Sequence, residues 1–317
     1  MSTHTPEIAI TDELRDAIAA GRPVVALEST IITHGMPWPE NAKMAAGVEA
    51  VIRDEGALPA TIAVIEGVLH IGLDDAERDA LAQVKDAAKL SRADLAFCMM
   101  QGLTGGTTVA ATMMAAHAAG ISIFATGGIG GVHRGAETSF DISADLEELA
   151  RTPVTVICAG AKAILDLPKT LEALETRGVP VIAYGQDDLP AFWSQRSGLP
   201  APLRLDDVSD MARFITARRD LPRMGHGGVL ICNPVPEEAE IPLEVMALHI
   251  DTALAEAERH GIGGKDATPF LLGKIVELTG GDSLKTNIAL VENNARLAAR
   301  IAVEIAQSRA KPKIGFV

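Results

Sequence analysis

The chain has 317 residues, 48% of them hydrophobic, with 29 glycines, 3% aromatics and a formal net charge of −14. At about 100–200 residues per domain it holds one large domain or two ordinary ones, and its composition excludes a disordered, collagenous or disulfide-stapled chain. The acidic balance argues against nonspecific contact with nucleic acid or anionic lipid, but a phosphorylated small molecule can still be held by local N–H groups and a few lysines.

The opening stretch, MSTHTPEIAITDELRDAIAAG, carries acid where a signal peptide carries base. No apolar run approaches the roughly 18 residues that span a bilayer, so a cytoplasmic protein without membrane contact is expected. Strand-like apolar runs follow at 24–30, 61–67, 94–99, 121–126, 154–160, 180–185 and 228–234. Between them lie amphipathic patterns such as NAKMAAGVEAVIRDEG, DAERDALAQVKDAAK, TVAATMMAAHAAG, SADLEELAR and DDVSDMARFITARR, with apolar residues recurring at three and four. The alternation predicts an α/β fold whose central sheet is largely parallel and covered on both faces. Beyond residue 235 the pattern is helical: LEVMALHIDTALAEAERHG, TPFLLGKIVELTGG, then DSLKTNIALVENNARLAARIAVEIAQSRA. With no repeat and no low-complexity linker, one domain over residues 1–317 is expected. The stretch 186–203, QDDLPAFWSQRSGLPAPL, lacks periodicity and reads as a lid, a subunit contact or an ordinary surface loop.

Several strand runs end in Gly, Ser or Thr, small residues that let a ligand approach the carboxyl edge of such a sheet, where the site is expected. Two glycine motifs fail. In ATGGIGGVHRGAE, His133 stands where the third glycine of a dinucleotide turn belongs, and no helix is expected before about Ser143. In GIGGKDATP, Asp266 replaces the Ser or Thr that follows a P-loop lysine, here Lys265. No HExxH or paired Cys/His spacing marks a zinc site. Cys98, Cys158 and Cys232 sit in apolar runs without CxxC spacing and read as inert core thiols.

Lys162 lies just past the glycine that ends VTVICAG, with AILDL expected to continue as a helix, so its amine would project at the carboxyl edge. Such a lysine either snorkels to water or, beside apolar walls, supplies a free amine that attacks a carbonyl to form a Schiff base. Glu28 follows an apolar run, where a carboxylate pairs with a cation or stays protonated; the second outcome suits a general acid, the first also a structural salt bridge. Asp141 and Asp145 are four apart and share one side if a helix has begun, while Ser143 reads as its cap. Together they make a phosphate or metal–oxygen site, or merely cap a helix. GGTTVAAT places Thr107 and Thr108 at a helix start whose amides could cradle an oxyanion. Lys89 reads as a helix C-terminal cation, and Lys285 and Asn287 stand in the first turn of the last helix, where capping does not require them.

Taken together, VVALESTIITHGMP, ATGGIGGVHRGAETSFDISADL, CAGAKAILDL, KDATPFLL and TGGDSLKTNIALVENNA resemble the pseudouridine-5'-phosphate glycosidase family, also called the indigoidine synthase A-like family. The resemblance runs from about Pro23 to about Ala299 and departs from the family pattern at 217–228 and in the tail SRAKPKIGFV. It implies reversible hydrolysis of the C–C glycosidic bond of pseudouridine 5'-phosphate to uracil and ribose 5-phosphate, in pseudouridine catabolism, by a Mn2+-dependent homotrimer with a three-layer α/β/α fold. A separate pseudouridine kinase would act upstream. By matched motif, Lys162 would be the nucleophile, Glu28 the proton donor and Asp141 the metal ligand. Lys89, Val109, Ser143, Ala144, Asp145 and Asn287 would meet substrate, with Thr108, Thr126 and His133 as further site candidates. Two rivals are a Schiff-base aldolase acting on a phosphosugar and a non-catalytic sugar-phosphate-binding protein.

Overall fold

Runs such as Val-Val-Ala-Leu at 24–27 and Val-Leu-Ile-Cys at 229–232 are buried at every residue, which places them in the interior of a sheet covered on both faces. The computed structural model describes residues 7–221, 227–264 and 267–310. Lys265 and Asp266, residues 222–226 of the divergent stretch, the first six residues and 311–317 of the tail lie outside the described residues.

The strands, in chain order, are β1 (Ile8–Ile10), β2 (Val24–Leu27), β3 (Leu58–Ile65), β4 (Val68–Ile71), β5 (Ala88–Leu90) and β6 (Gly105–Thr107). They continue with β7 (Ile123–Ala125), β8 (Thr155–Cys158), β9 (Val181–Tyr184), β10 (Leu203–Leu205) and β11 (Val229–Cys232). The first helices are α1 (Asp12–Ala19), α2 (Thr30–His34), α3 (Glu40–Asp54), α4 (Asp75–Ala82), α5 (Leu95–Met100), α6 (Val109–Ala118) and α7 (Ala136–Ser139). They are followed by α8 (Ala144–Arg151), α9 (Leu167–Thr176), α10 (Val208–Asp220), α11 (Leu243–Arg259), α12 (Ala267–Leu278) and α13 (Asp282–Ala310).

The sheet runs β1-β4-β3-β2-β7-β8-β11-β9-β10, with β6 pairing to both β3 and β5. Every pair from β3 to β10 along this order is parallel; β3 meets β4 and β6 antiparallel. Helices cover both sides, which gives the expected α/β/α layering with a largely parallel sheet and a helical C-terminal segment. The long α13 lies against β2, β7 and β8 and also packs on α3 and α10. Its buried Asn294 locks it to the carboxyl edge: Nδ2 donates to the Thr126 carbonyl at 2.8 Å and Oδ1 accepts from Asn233 at 3.1 Å. Among the described residues no helix is long and apolar enough to cross a membrane.

Several expected elements differ. The run 94–99 is helix α5, not a strand: Leu95 and Cys98, three apart, are buried while Phe97 and Met100 face out. Lys89 does not end a helix, because α4 stops at Ala82 and Lys89 lies in β5, in register with Gly106. A short helix, α7, forms before Ser143. The residues after Lys162 make a turn rather than a helix. Gly160 holds φ at +88°, the Asp166 amide donates to the Val132 carbonyl, and the Asp166 side chain caps α9 by accepting from the Lys169 amide at 3.0 Å. Gly105 and Gly106 belong to β6, and the helix that follows starts only at Val109. The stretch 186–203 is not an exposed loop, since Leu189, Ala191, Phe192 and Trp193 are buried. The three cysteines are buried, and Cys158 and Cys232 are register partners across β8 and β11.

Candidate active site

Glu28 stands at the carboxyl end of β2 and is 8% exposed. A carboxylate in that position needs donors, and two hydroxyls supply them: Thr30 donates to Oε2 and Thr126 to Oε1. The salt bridge admitted by the sequence is replaced by this hydroxyl clamp. Thr126 follows β7 directly, so neighbouring parallel strands carry the acid and one of its supports.

Lys162 follows β8 on the same edge. Its amide donates to the Ile129 carbonyl at 3.1 Å, its carbonyl accepts from Leu165 at 3.0 Å, and Ala161 bridges to Ile129. The turn thus fixes the lysine backbone before the helix begins. Gly160 is required there: besides its left-handed φ, a Cβ would lie 2.6 Å from the Pro190 carbonyl oxygen. The lysine amine has no hydrogen-bond or ion-pair partner among the described residues.

The amino ends of α6 and α8 converge beside it. Thr108 caps α6 by accepting from Ala111 at 3.4 Å, and Ser143 caps α8 by accepting from Asp145 at 3.2 Å. Asp145 ties the two together, accepting from the Ala110 amide at 2.9 Å and from the Gly130 amide at 2.8 Å. The first-turn amides of Val109 and Ala144 meet no acceptor among the described residues, and both residues line the cavity. Two residues without polar side chains can thus offer donors to an anion. Gly130 permits the convergence, because a Cβ there would collide with Ser143 Oγ and lie 2.9 Å from Asp145 Oδ2.

Two cavities meet at the lysine. One, of about 970 Å³, is polar and is lined by Thr108, Val109, His133, Asp141, Ser143 and Ala144. The other, of about 620 Å³, is walled by Ile31, Met36, Phe192, Leu272, Leu290 and Val291, with His34 and Asn287 as polar members. Glu28, Thr30, Lys89, Lys162 and Thr268 line both. Asn287 lines the apolar cavity, and its Oδ1 is buried without a hydrogen-bond partner among the described residues.

Burial pushes the His133 imidazole below its ordinary value; the Asp141 carboxylate opposes this, and the nearby amines of Lys89 and Lys162 reinforce it. Burial, then the charge of Lys89, lowers His34 in the same way, against a carbonyl of Ala87 that raises it. Asp141 Oδ2 lies 4.0 Å from His133 Nδ1, and its side chain is 31% exposed. Among the described residues no three His, Cys, Asp or Glu side chains gather into a metal cage. The oxygens of Glu28 and Asp145 already accept from protein donors, which leaves Asp141 as the cavity carboxylate with capacity to spare. That set suits a hard divalent cation that keeps most of its water.

The structure therefore gathers the sequence candidates Lys162, Glu28, Lys89, Val109, Ser143, Ala144, Asp145, Asp141, Asn287, Thr108 and His133 around these cavities, with Thr126 behind Glu28. Lys285 is not among them; it is exposed and pairs with Asp282 at 2.8 Å. Sequence reasoning missed Thr30, His34 and Phe192. The first two were available as polar residues directly after Glu28 in ESTIITH, whereas Phe192 carried no local signal.

A family model described as indigoidine synthase A like protein matches residues 13–304. The chain is 65% identical over 300 residues to a Mesorhizobium japonicum protein named pseudouridine-5'-phosphate glycosidase, covering 95% of this chain and 98% of that one. It is similar to the crystal structure of the prealnumycin C-glycosynthase AlnA in complex with ribulose 5-phosphate, with a TM-score of 0.88, 37% identity and coverage of 96% and 99%. It is also similar to an indigoidine synthase A (IdgA)-like protein from Thermotoga maritima, with a TM-score of 0.86, 31% identity and the same coverage. With its fold, its sequence motifs and these relatives in agreement, the chain is an enzyme that belongs to the indigoidine synthase A-like family.

Proposed function

We propose that the protein is a pseudouridine-5'-phosphate glycosidase, which reversibly hydrolyses its substrate to uracil and ribose 5-phosphate through a Schiff base on Lys162. The observation that carries this is the position of Lys162 and Glu28 on the seam between a polar cavity and an apolar one. The polar cavity, with two helix amino ends and Lys89, suits the phosphate; the apolar cavity suits the base, whose N–H groups would meet the unsatisfied Asn287 Oδ1. The relative crystallised with ribulose 5-phosphate supports a phosphosugar as ligand class.

The chemistry explains the need for a lysine. Uracil is attached through carbon C5, so direct departure would leave an unstabilised carbanion. The Lys162 nitrogen forms a bond to C1′ as C1′–O4′ breaks and the sugar opens, and the proton lost by the nitrogen passes to O4′. Glu28, entering the step protonated, gives its proton to C5 as the C1′–C5 bond breaks and the nitrogen lone pair makes C1′=N, so that C5 never carries a free electron pair. Water hydrolyses the imine and releases ribose 5-phosphate. Binding of the phosphate away from the broken bond orients the sugar.

Mn2+ belongs to the same proposal. Asp141 would hold it, mostly with water, and when bound it would supply positive charge near the substrate's oxygens. The proposal also includes a homotrimer and a separate kinase that supplies the phosphorylated nucleoside. Phe97 and Met100, each 61% exposed on α5, offer apolar surface for a subunit contact. Incubation of the protein with Mn2+ and pseudouridine 5'-phosphate tests the activity: release of free uracil supports it, while turnover of other phosphosugars without uracil release favours an aldolase.

A further inference from the structure

On the opposite edge of the sheet, two further cavities of about 450 and 660 Å³ share Ser122, Ile305 and Arg309 as walls and so form one groove. It runs beneath the amino ends of β2, β7, β8 and β11, at Val24, Ile123, Thr155 and Val229. Four arginines line it: Arg22 at one end, Arg218 and Arg219 at the other, Arg309 between.

In a chain with 42 acidic and 28 basic side chains, this groove inverts the overall balance. The carboxylate paired there is Asp220, 3.1 Å from Arg219. Arg218 Nε is buried with no acceptor among the described residues, a donor whose desolvation none of them compensates. Burial, with the charge of Arg219, pushes Arg309 below its ordinary value against Asp220, so the arginines repel one another. The remaining walls combine Ile121, Ile215 and Ile305 with Ser122, Thr155 and several glycines, and the apolar surface is concentrated at the Arg218 end. Guanidinium forks match phosphate oxygens in geometry and charge, and apolar walls favour an organic body attached to them.

We propose that this groove is a second ligand site, for a nucleotide-class anion whose phosphates meet Arg218 and Arg309 and whose base lies along the isoleucines. It is distinct from the cavities at the carboxyl edge, with which it shares no lining residue.

The test is calorimetric titration of the full chain carrying Lys89→Met, which weakens the anion subsite at the carboxyl edge, with adenosine 5'-diphosphate and with inorganic pyrophosphate. One equivalent of the nucleotide is expected to bind, about tenfold tighter than pyrophosphate, and Arg218→Gln with Arg309→Gln is expected to weaken it at least about tenfold. In the Lys89 background the same double substitution is expected to leave pseudouridine 5'-phosphate turnover unchanged. Should that pair disturb folding, Arg22→Gln with Arg219→Gln, both at exposed positions, is expected to weaken binding about threefold or more. Absence of nucleotide binding in the Lys89→Met chain, or binding indifferent to both arginine pairs, overturns the site. Equal affinity for nucleotide and pyrophosphate overturns the nucleotide class.

Discussion

Thr126 donates its hydroxyl hydrogen to Oε1 of Glu28, and its carbonyl accepts from Asn294 on α13 at 2.8 Å. The acid is therefore aimed by a residue that is itself held by the C-terminal helix. Thr126→Val keeps the shape and removes the hydroxyl. Turnover is expected to fall by about tenfold, the worth of one buried hydrogen bond, with a displaced pH–rate profile and little change in KM. Thr126→Ser should restore most of the rate. Equal loss in the two variants, with an unaltered pH profile, would show that Thr126 does not act through Glu28.

Asp145 joins α6 to the Gly130 turn by accepting from two amides. Asp145→Ala leaves the buried Ala110 amide without a partner, at a cost of about 1–3 kcal/mol, and the half-buried Gly130 amide to water at a smaller cost. A lower melting temperature is expected together with a raised KM for the phosphorylated substrate, because the helix amino ends lose their relative placement. Gly130→Ala should raise KM in the same way, since its Cβ would displace Ser143. Measuring KM and melting temperature for both variants checks this; unchanged KM in both would separate Asp145 from the proposed phosphate site.

Asp141→Asn weakens the carboxylate offered to a cation without changing its size. The Mn2+ concentration for half-maximal turnover is expected to rise at least about tenfold. Trapping of a lysine adduct should survive, because imine formation does not use the carboxylate. An unchanged Mn2+ requirement would place the metal elsewhere.

His34 and His133 are both lowered below the ordinary value of 6.5 by burial first, then by lysine charge. As pH falls below about 6.5 the unfolded chain binds protons that the folded chain refuses, so the folded state loses stability until the folded groups titrate in turn. Melting temperature is thus expected to decline between about pH 6.5 and 5.5, above the range in which carboxylates protonate. His34→Gln with His133→Gln should flatten that decline. A slope unaltered by the pair would assign the window to other groups.

The parts legible in the sequence were those with long-range regularity. Buried β-branched runs marked β2, β8 and β11, and the three- and four-residue apolar recurrence marked α3, α10, α11 and α13. Six apolar residues such as those of α5 fit strand or helix equally, and three-residue strands such as β5 and β6 carry too few positions for a period. The turn after Lys162 was hidden because Asp166, four residues on, acts as a cap only once Gly160 has turned the chain left-handed. At the site, strand-end position singled out Lys162 and Glu28. Val109 and Ala144 could be named only by family resemblance, since what they offer the cavity is a backbone amide and not a polar side chain.

Covalent capture of the pentose by Lys162 is the central claim, and reductive trapping tests it most directly. The protein is incubated with ribose 5-phosphate and borohydride, digested, and mapped by mass spectrometry. A stable ribosyl phosphate adduct on Lys162, absent from Lys162→Ala, is the expected result. An adduct on another lysine, or none while uracil is still released from pseudouridine 5'-phosphate, would contradict it.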